Sequence, residues 1–430
     1  MKQMKVLIIS HQPMATQNNM GKTFLSLFSQ FDRQELCQLY IYPAIPDVDR
    51  CSSFYRVTDK EVLRSFFTWK KPGSQVAPEL ICENQGRYED EKDESFYRNK
   101  KNKAPIRRLL RDTMWAMSGW YSDDLAQWLD RECPTCIFLA PGVAKFIYRI
   151  ALRIAEERDI PIISYICDEF YFVREPDSWL DRIRLKTLRS TIEKLMQKSS
   201  HLVVICDELR EAYTQKFSVP ATTLMTGASF AAAKESRSVR QPTEICYFGN
   251  IRSNRYLSLA EVGCVLDNIN YERGTDYKLK VYTGEKDREI LETFRGIDSV
   301  ELCGFLSGTA FDQAFHGAQL LLHVEAFDEA SIDRVQHSVS TKIADSLASG
   351  IPLLAYGPEC VSSMRHLIRY GCAITASSKD ELRGMLERAL FDETARKTVA
   401  ENGLLAAKRC HDSTLAGARL RKIVCEVSDA

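Results

Sequence analysis

Val339 to Pro358, VSTKIADSLASGIPLLAYGP, reads as a loop, a short helix, a stop and a buried strand. Ser340 or Thr341 can cap the helix, and Ile343, Ala344, Leu347 and Ala348 recur at the three- and four-residue spacings of one buried face. Gly350 ends it, and Pro352 opens the apolar run that follows. The first turn of such a helix offers unpaired backbone N–H groups and the positive end of the helix dipole, which suit a phosphate. Lys342 adds a cation there, and Asp345 lies about one turn further in, where a carboxylate can accept hydrogen bonds from ribose hydroxyls. By spacing alone, the same two residues are equally an exposed i, i+3 ion pair on an ordinary helix.

The strand and helix around this segment recur along the chain. Short β-branched runs, each followed by a longer amphipathic stretch, are the pattern of parallel α/β architecture. In the first half the runs fall at 5–10, 36–42, 135–140, 161–166 and 201–205, with helices at 21–31, 143–158 and 177–199. In the last of these, Trp179, Ile183, Leu188, Ile192 and Leu195 predict one packed apolar face. In the second half strands are expected at 244–248, 278–283, 299–303, 319–324, 351–355 and 373–375. Between the two series, Ala231 to Thr243, AAAKESRSVRQPT, is small and polar with no apolar periodicity, and reads as a linker. The expected division is therefore 1–230, a linker at 231–243, a second domain at 244–410, and a closing helix within 411–430 that is able to cross back to the first domain. Residues 54–120 read as a long insertion, with an acidic cluster at 89–94 and seven basic residues from Arg98 to Arg111.

Composition bounds the function. The chain has 430 residues, more than one core usually serves, and roughly 150 residues per domain gives two or three domains. Fifty-eight basic residues balance 58 acidic ones, which argues against a nucleic-acid partner held by the total field and makes any phosphate recognition local. The start, MKQMKVLIIS, has too short an apolar run for a signal-peptide core, and no stretch approaches about 18 apolar residues. Fourteen scattered cysteines, several inside apolar runs, fit a reducing compartment. A soluble cytoplasmic protein is expected.

The segment LASGIPLLA, Leu347 to Ala355, resembles the nucleotide-sugar signature of GT-B glycosyltransferases of the group 1 or family 4 type, whose motif runs A-x-G-x-P-hydrophobic. The resemblance extends in order over nearly the whole chain and implies a GT-B fold of two Rossmann-like α/β domains facing across a cleft. It implies that Asp345 meets the donor ribose and that the backbone at Ser340 and Thr341 holds the β-phosphate. ICYFGNIRSNR, Ile245 to Arg255, resembles the strand and Gly turn that approach the donor diphosphate, with Arg252 and Arg255 as the cations. VELCGFL, Val300 to Leu306, resembles the turn that reads the base, which puts Phe305 and Leu306 beside it. Gly21, opening GKTFLSLF, stands where the family lets backbone approach donor or acceptor. The family's first acid, eight residues before the second, falls on His337, so the E-x7-E pattern is broken and the stereochemistry stays open.

Three further residues are candidates for catalysis. Asp168 and Glu169 directly follow a buried-looking strand, where residues line the ligand crevice of parallel sheets, and either could orient or deprotonate an acceptor hydroxyl; turn formation is the plain alternative. His11 follows the first strand in the same way, although a lone His there is more often structural. Gly21-Lys22-Thr23 is not a Walker A loop, because Thr16 stands where that motif needs Gly, and the lone Cys133-Pro-Thr-Cys136 lacks the second pair of a zinc site. The basic stretch to Arg111, with Trp115 and Trp120, is a candidate for peripheral membrane contact in 98–120.

The expected function is transfer of a sugar from a nucleotide-diphosphate sugar to a glycan or lipid-linked acceptor, without cofactor or metal. A nucleotide-sugar epimerase and a non-catalytic nucleotide-sugar-binding scaffold are the alternatives.

Overall fold

Five-residue runs that are buried along their whole length frame the first half of the molecule. The computed structural model describes residues 4–16, 19–68, 70–81, 105–174, 176, 178–228 and 242–429. The acidic cluster, the basic residues before Pro105 and most of the expected linker lie outside these. The chain divides into two compact units, Met1–Thr226 with Ser413–Ala430, and Gly227–Asp412.

In chain order the first unit contains β1 (Val6–Ser10), α1 (Asn19–Leu27), β2 (Leu36–Tyr40), β3 (Phe54–Arg56), α2 (Asp59–Ser65), β4 (Ser74–Gln75), α3 (Pro105–Met117), α4 (Asp123–Glu132), β5 (Cys136–Ala140), α5 (Lys145–Arg158), β6 (Ile162–Ile166), α6 (Trp179–Lys198), β7 (Ser199–Val204), α7 (Asp207–Phe217) and β8 (Ala221–Thr223). The strands form one sheet in the order β4-β3-β2-β1-β5-β6-β7-β8. All neighbours are parallel except β3 and β4. Val6 pairs with Leu36 on one side and Cys136 on the other, so the strand order reverses direction between β1 and β5.

The second unit contains β9 (Glu244–Phe248), α8 (Arg255–Arg273), β10 (Lys278–Tyr282), α9 (Arg288–Glu292), β11 (Val300–Leu302), α10 (Gly308–Gly317), β12 (Leu321–Val324), α11 (Glu329–Val335), α12 (Thr341–Ala348), β13 (Leu353–Tyr356), α13 (Ser362–Arg369), β14 (Ile374–Ala376), α14 (Lys379–Phe391) and α15 (Glu393–Cys410). Its sheet, β11-β10-β9-β12-β13-β14, is parallel throughout and reverses between β9 and β12. Both sheets thus contain the doubly wound order whose ligand crevice lies past the carboxyl ends of the strands at the reversal.

The last helix, α16 (Ser413–Ser428), belongs to the first unit, where it packs on α1, β5 and β7. Its buried residues Ala416, Leu420, Ile423 and Val424 join the core formed by Phe24, Phe28, Phe138 and Tyr165. The Arg421 guanidinium fixes its outer side, donating to both carboxylate oxygens of Glu35 at 2.6 Å.

The structure corrects three sequence expectations. The stretch from Phe54 is not an insertion from its start: Phe54, Tyr55 and Arg56 are buried as β3, paired in parallel with β2, and β4 adds the antiparallel edge. These strands are too short to show alternation. The first turn of α6 is not packed, since Trp179 is 67% exposed and Ile183 49% exposed; burial begins at Leu185. Trp115 and Trp120 are buried, so neither is an interfacial anchor. Trp115 stacks on Phe146 at 4.3 Å and donates its indole N–H to Asp59 at 2.7 Å. Among the described residues no helix is long and apolar enough to cross a membrane.

Candidate functional site

In the second unit, the reversal between β9 and β12 gathers most of the residues singled out as donor-binding. β9 ends at Phe248, and Gly249 follows with φ +143°, a conformation that L side chains rarely adopt. A Cβ at Gly249 would collide with the ammonium of Lys342. That ammonium comes from the second residue of α12 and lies 5.7 Å from the centroid of the Tyr247 ring. Lys342 keeps exposed surface, while its ammonium is packed against Gly249 and Tyr247. Burial of the head and the nearby Arg255 pull its pKa down to about 8, against the opposing attraction of Glu325.

α12 starts without a side-chain cap and without an acid in its first turn. Ser340 spends its own N–H on Ser363 at 3.1 Å. The N–H groups behind it, starting at Thr341, are the ones a helix cannot satisfy internally. Asp345 lies on the exposed side of the same helix.

Between Gly249 and α8 the chain turns through Ser253 and Asn254, both left-handed at φ 56° and 57°. The turn is pinned by the N–H of Arg252 to Asn250 Oδ1 (2.7 Å), Asn254 to Asp328 (3.0 Å) and Arg334 to Ser253 (2.9 Å). It delivers two guanidinium groups, each held by a carboxylate. Arg252 is gripped through Nε and a terminal nitrogen by Glu285, in the loop after β10. That bond, with the backbone N–H groups of Asp287 and Lys286, holds the Glu285 carboxyl down to about 2 despite its burial. Arg255 places Nε and a terminal nitrogen 2.9 and 2.8 Å from one oxygen of Glu325. Glu325 is buried directly past β12, with His323 at 3.4 Å from its other oxygen. Burial works to raise its pKa, yet His323 and Arg255 keep it below the usual carboxylate range.

Phe305 follows β11 and is 74% exposed, its ring packed against Gly284, the neighbour of Glu285. Leu306 beside it is half-buried. Phe305, Gly284, Glu285 and Arg252 thus form a continuous path from an exposed aromatic face to the cation. His337 is half-buried and follows α11, outside this path.

Glu285 and Glu325 escaped the sequence reading. For Glu325 the signal was present: an acid directly after a buried strand is what singled out Asp168. Glu285 carried none, because its partner is 33 residues away.

The catalytic candidates lie in the first unit, past the carboxyl ends of β1 and β6. His11 accepts backbone N–H bonds from Ile41 (3.2 Å) and Tyr42 (2.9 Å) on its carbonyl and stands edge-on to Tyr42. Its Nδ1 is buried without a partner among the described residues. Burial and the charge of Arg111 depress its pKa to about 4, against the pull of Asp59. Asp168 is exposed. Glu169 is turned inward: one oxygen accepts the N–H groups of Tyr171 (2.5 Å) and Phe172 (2.8 Å) and the Tyr213 hydroxyl (3.2 Å), which ties its own loop. Gly21 lets α1 press on the Ala15 backbone, where a Cβ would collide.

No protein-family model and no curated protein matches the chain. Solved structures do match over its whole length. HepE of Anabaena, in complex with UDP and glucose, is similar with a TM-score of 0.62 at 11% identity, covering 99% of this chain and 100% of that one. Sucrose-phosphate synthase of Thermosynechococcus elongatus gives 0.62 at 10% identity, covering 99% of each. An α,α-trehalose 6-phosphate synthase of Burkholderia multivorans gives 0.61 at 13% identity, covering 99% of this chain and 98% of that one. At these identities the likeness is one of fold, and with two doubly wound sheets in one chain, parallel except at the β3–β4 edge, the protein has the GT-B fold.

Proposed function

We propose that the chain transfers a glycosyl group from a nucleoside-diphosphate sugar to an acceptor hydroxyl. The observation that carries this reading is the convergence of Lys342, Arg255 and the uncapped start of α12 around Gly249, at the reversal of the second sheet. It is a site for a phosphate group. The likeness to HepE, solved with UDP and glucose, supports the same reading.

The bond from the anomeric carbon to the diphosphate oxygen breaks as the bond to the acceptor oxygen forms. Negative charge grows on the departing diphosphate, and donors already fixed in place stabilise it without reorganising. Glu285 and Glu325 fix the two guanidinium groups and leave each with N–H donors to spare for phosphate oxygens. Phe305 offers its face to the base, and Asp345 its carboxylate to the ribose. The acceptor proton goes to Asp168, or to His11, which is neutral at pH 7 and so able to accept it. Glu169 takes the supporting part, shaping the loop that presents Asp168.

The test is acceptor-dependent release of nucleoside diphosphate from a panel of nucleotide sugars. Turnover that needs an acceptor and survives EDTA is the expected result. A strict requirement for added divalent metal removes the cation-and-helix mechanism. Turnover without any acceptor indicates epimerisation, and binding without turnover indicates a scaffold.

A further inference from the structure

Helix α3 brings positive charge to the carboxyl edge of the first sheet beyond what the carboxylates among the described residues balance. It packs against α2, α5 and α6. Its only carboxylate, Asp112, is half-buried and faces Arg111 on its own helix, Lys145 and Arg149 on α5, and Arg184 on α6. The charge of Arg108 acts on Arg184, and that of Lys194 on Lys145. Besides Asp112, Asp181 faces Arg184 and Asp59 pairs with Arg111 at 2.9 Å. Among the described residues, six cations therefore surround three carboxylates.

Two of the cations keep donors sealed from solvent with no acceptor among the described residues, Nε of Arg184 and a terminal nitrogen of Arg111. A charged donor in that state is destabilising, so it marks a place where acceptor oxygens are favoured. Arg184 spends another nitrogen on the carbonyl of Val143 at 3.0 Å, which anchors it to the β5–α5 loop. That loop lies at the strand reversal of the sheet, and α5 begins there with no side-chain cap and no acid in its first turn. Burial above all, and then neighbouring cations, lower the pKa of both Lys145 and Arg184, against the pull of Asp112 on both and of Asp181 on Arg184.

We propose that this cluster seats a phosphate or diphosphate group carried by the acceptor. The proposal rests on reading the first unit as the acceptor half of a glycosyltransferase. Two sources share the chemistry, a soluble sugar phosphate and a lipid-linked phosphate. Exposed Ile106, Leu110 and Met117 on α3, and Trp179 and Ile183 on α6, place apolar surface on the two helices that carry the cluster, which suits a lipid.

The full chain is titrated with glucose 6-phosphate and with farnesyl diphosphate, each in saturating UDP, and separately with UDP alone. Saturable binding of at least one phosphate probe is expected. Replacing Lys145 and Arg184 together by Ala should weaken it about tenfold or more. Asp112→Asn removes the competing carboxylate and should tighten it about threefold or more, a gain that a misfolded variant cannot imitate. UDP affinity should change less than about twofold in both variants. Tighter farnesyl diphosphate, with cosedimentation on anionic phospholipid vesicles, identifies the lipid-linked source; tighter glucose 6-phosphate identifies the soluble one. Absence of binding by both probes, or binding indifferent to both variants, overturns the proposal. Failure of UDP to bind while both variants behave as stated overturns only the donor site of the second unit.

Discussion

Lys342 and Gly249 occupy adjoining space, so the lysine head can sit where it does only because position 249 has no side chain. Held near pKa 8, Lys342 is mostly charged at pH 7 and neutral by pH 10. A bound diphosphate favours the charged form, so binding takes up a proton above pH 8. Affinity for UDP should therefore fall as pH rises from 8 to 10, by up to about tenfold per unit. Lys342→Arg, always charged, should flatten that decline in calorimetric titrations. His11 runs the other way in the folding equilibrium. Its pKa is about 4 in the folded protein against an ordinary 6.5 once the chain unfolds, so the unfolded chain binds more protons between these values. Its contribution is fully present above pH 6.5 and is lost as pH falls to 4, amounting to about 3 kcal/mol. Denaturant midpoints for His11→Gln should accordingly be less sensitive to pH between 6.5 and 4.5 than those of the unaltered chain. Both residues were legible in the sequence from their places at a helix start and a strand end. Their environments were not, because Arg111, Asp59 and Glu325 come from distant segments.

Elements were legible where burial is one-sided or complete over several residues. β1, β5 and β6 are buried throughout, and α12 shows its buried face at regular spacing, so their sequences announce them. β3 has three residues and β4 only two, both exposed, which is too little pattern to read. The seven residues of α11 show only one buried position, Ser331, and no apolar stripe. α6 misled for the opposite reason: Trp179 and Ile183 continue its apolar spacing into a turn that nothing among the described residues covers. The closing helix is a sharper case. α16 is 16 residues long and inserts Leu420 and Val424, both fully buried, into the core of the first unit. Leu420→Ala should cost about 2–5 kcal/mol. Hydrogen exchange should register the loss in β1, β5 and β7 and leave β9 and β12 unchanged; equal loosening of both units would mean that α16 does not belong to the first alone.

At the scale of the whole molecule, the zero net charge conceals separate local concentrations. One is the group of Arg252, Arg255 and Lys342, where two of the three cations are countered by buried carboxylates and the third by proximity to Glu325. The other is the α3 cluster, where cations outnumber carboxylates among the described residues. Two series of strands and helices were readable as two doubly wound halves, and the sheet orders have that form. The pairing of cation with carboxylate was not readable, since Glu285 and Glu325 lie 33 and 70 residues from their arginines. Assignment of the second unit as the donor half is tested most directly by calorimetric titration of UDP at pH 7.5 into the full chain and into Lys342→Ala. Saturable binding by the unaltered chain, about tenfold or more weaker in the variant at an unchanged melting temperature, is the predicted result. Equal affinities, or no binding by either, contradict the assignment.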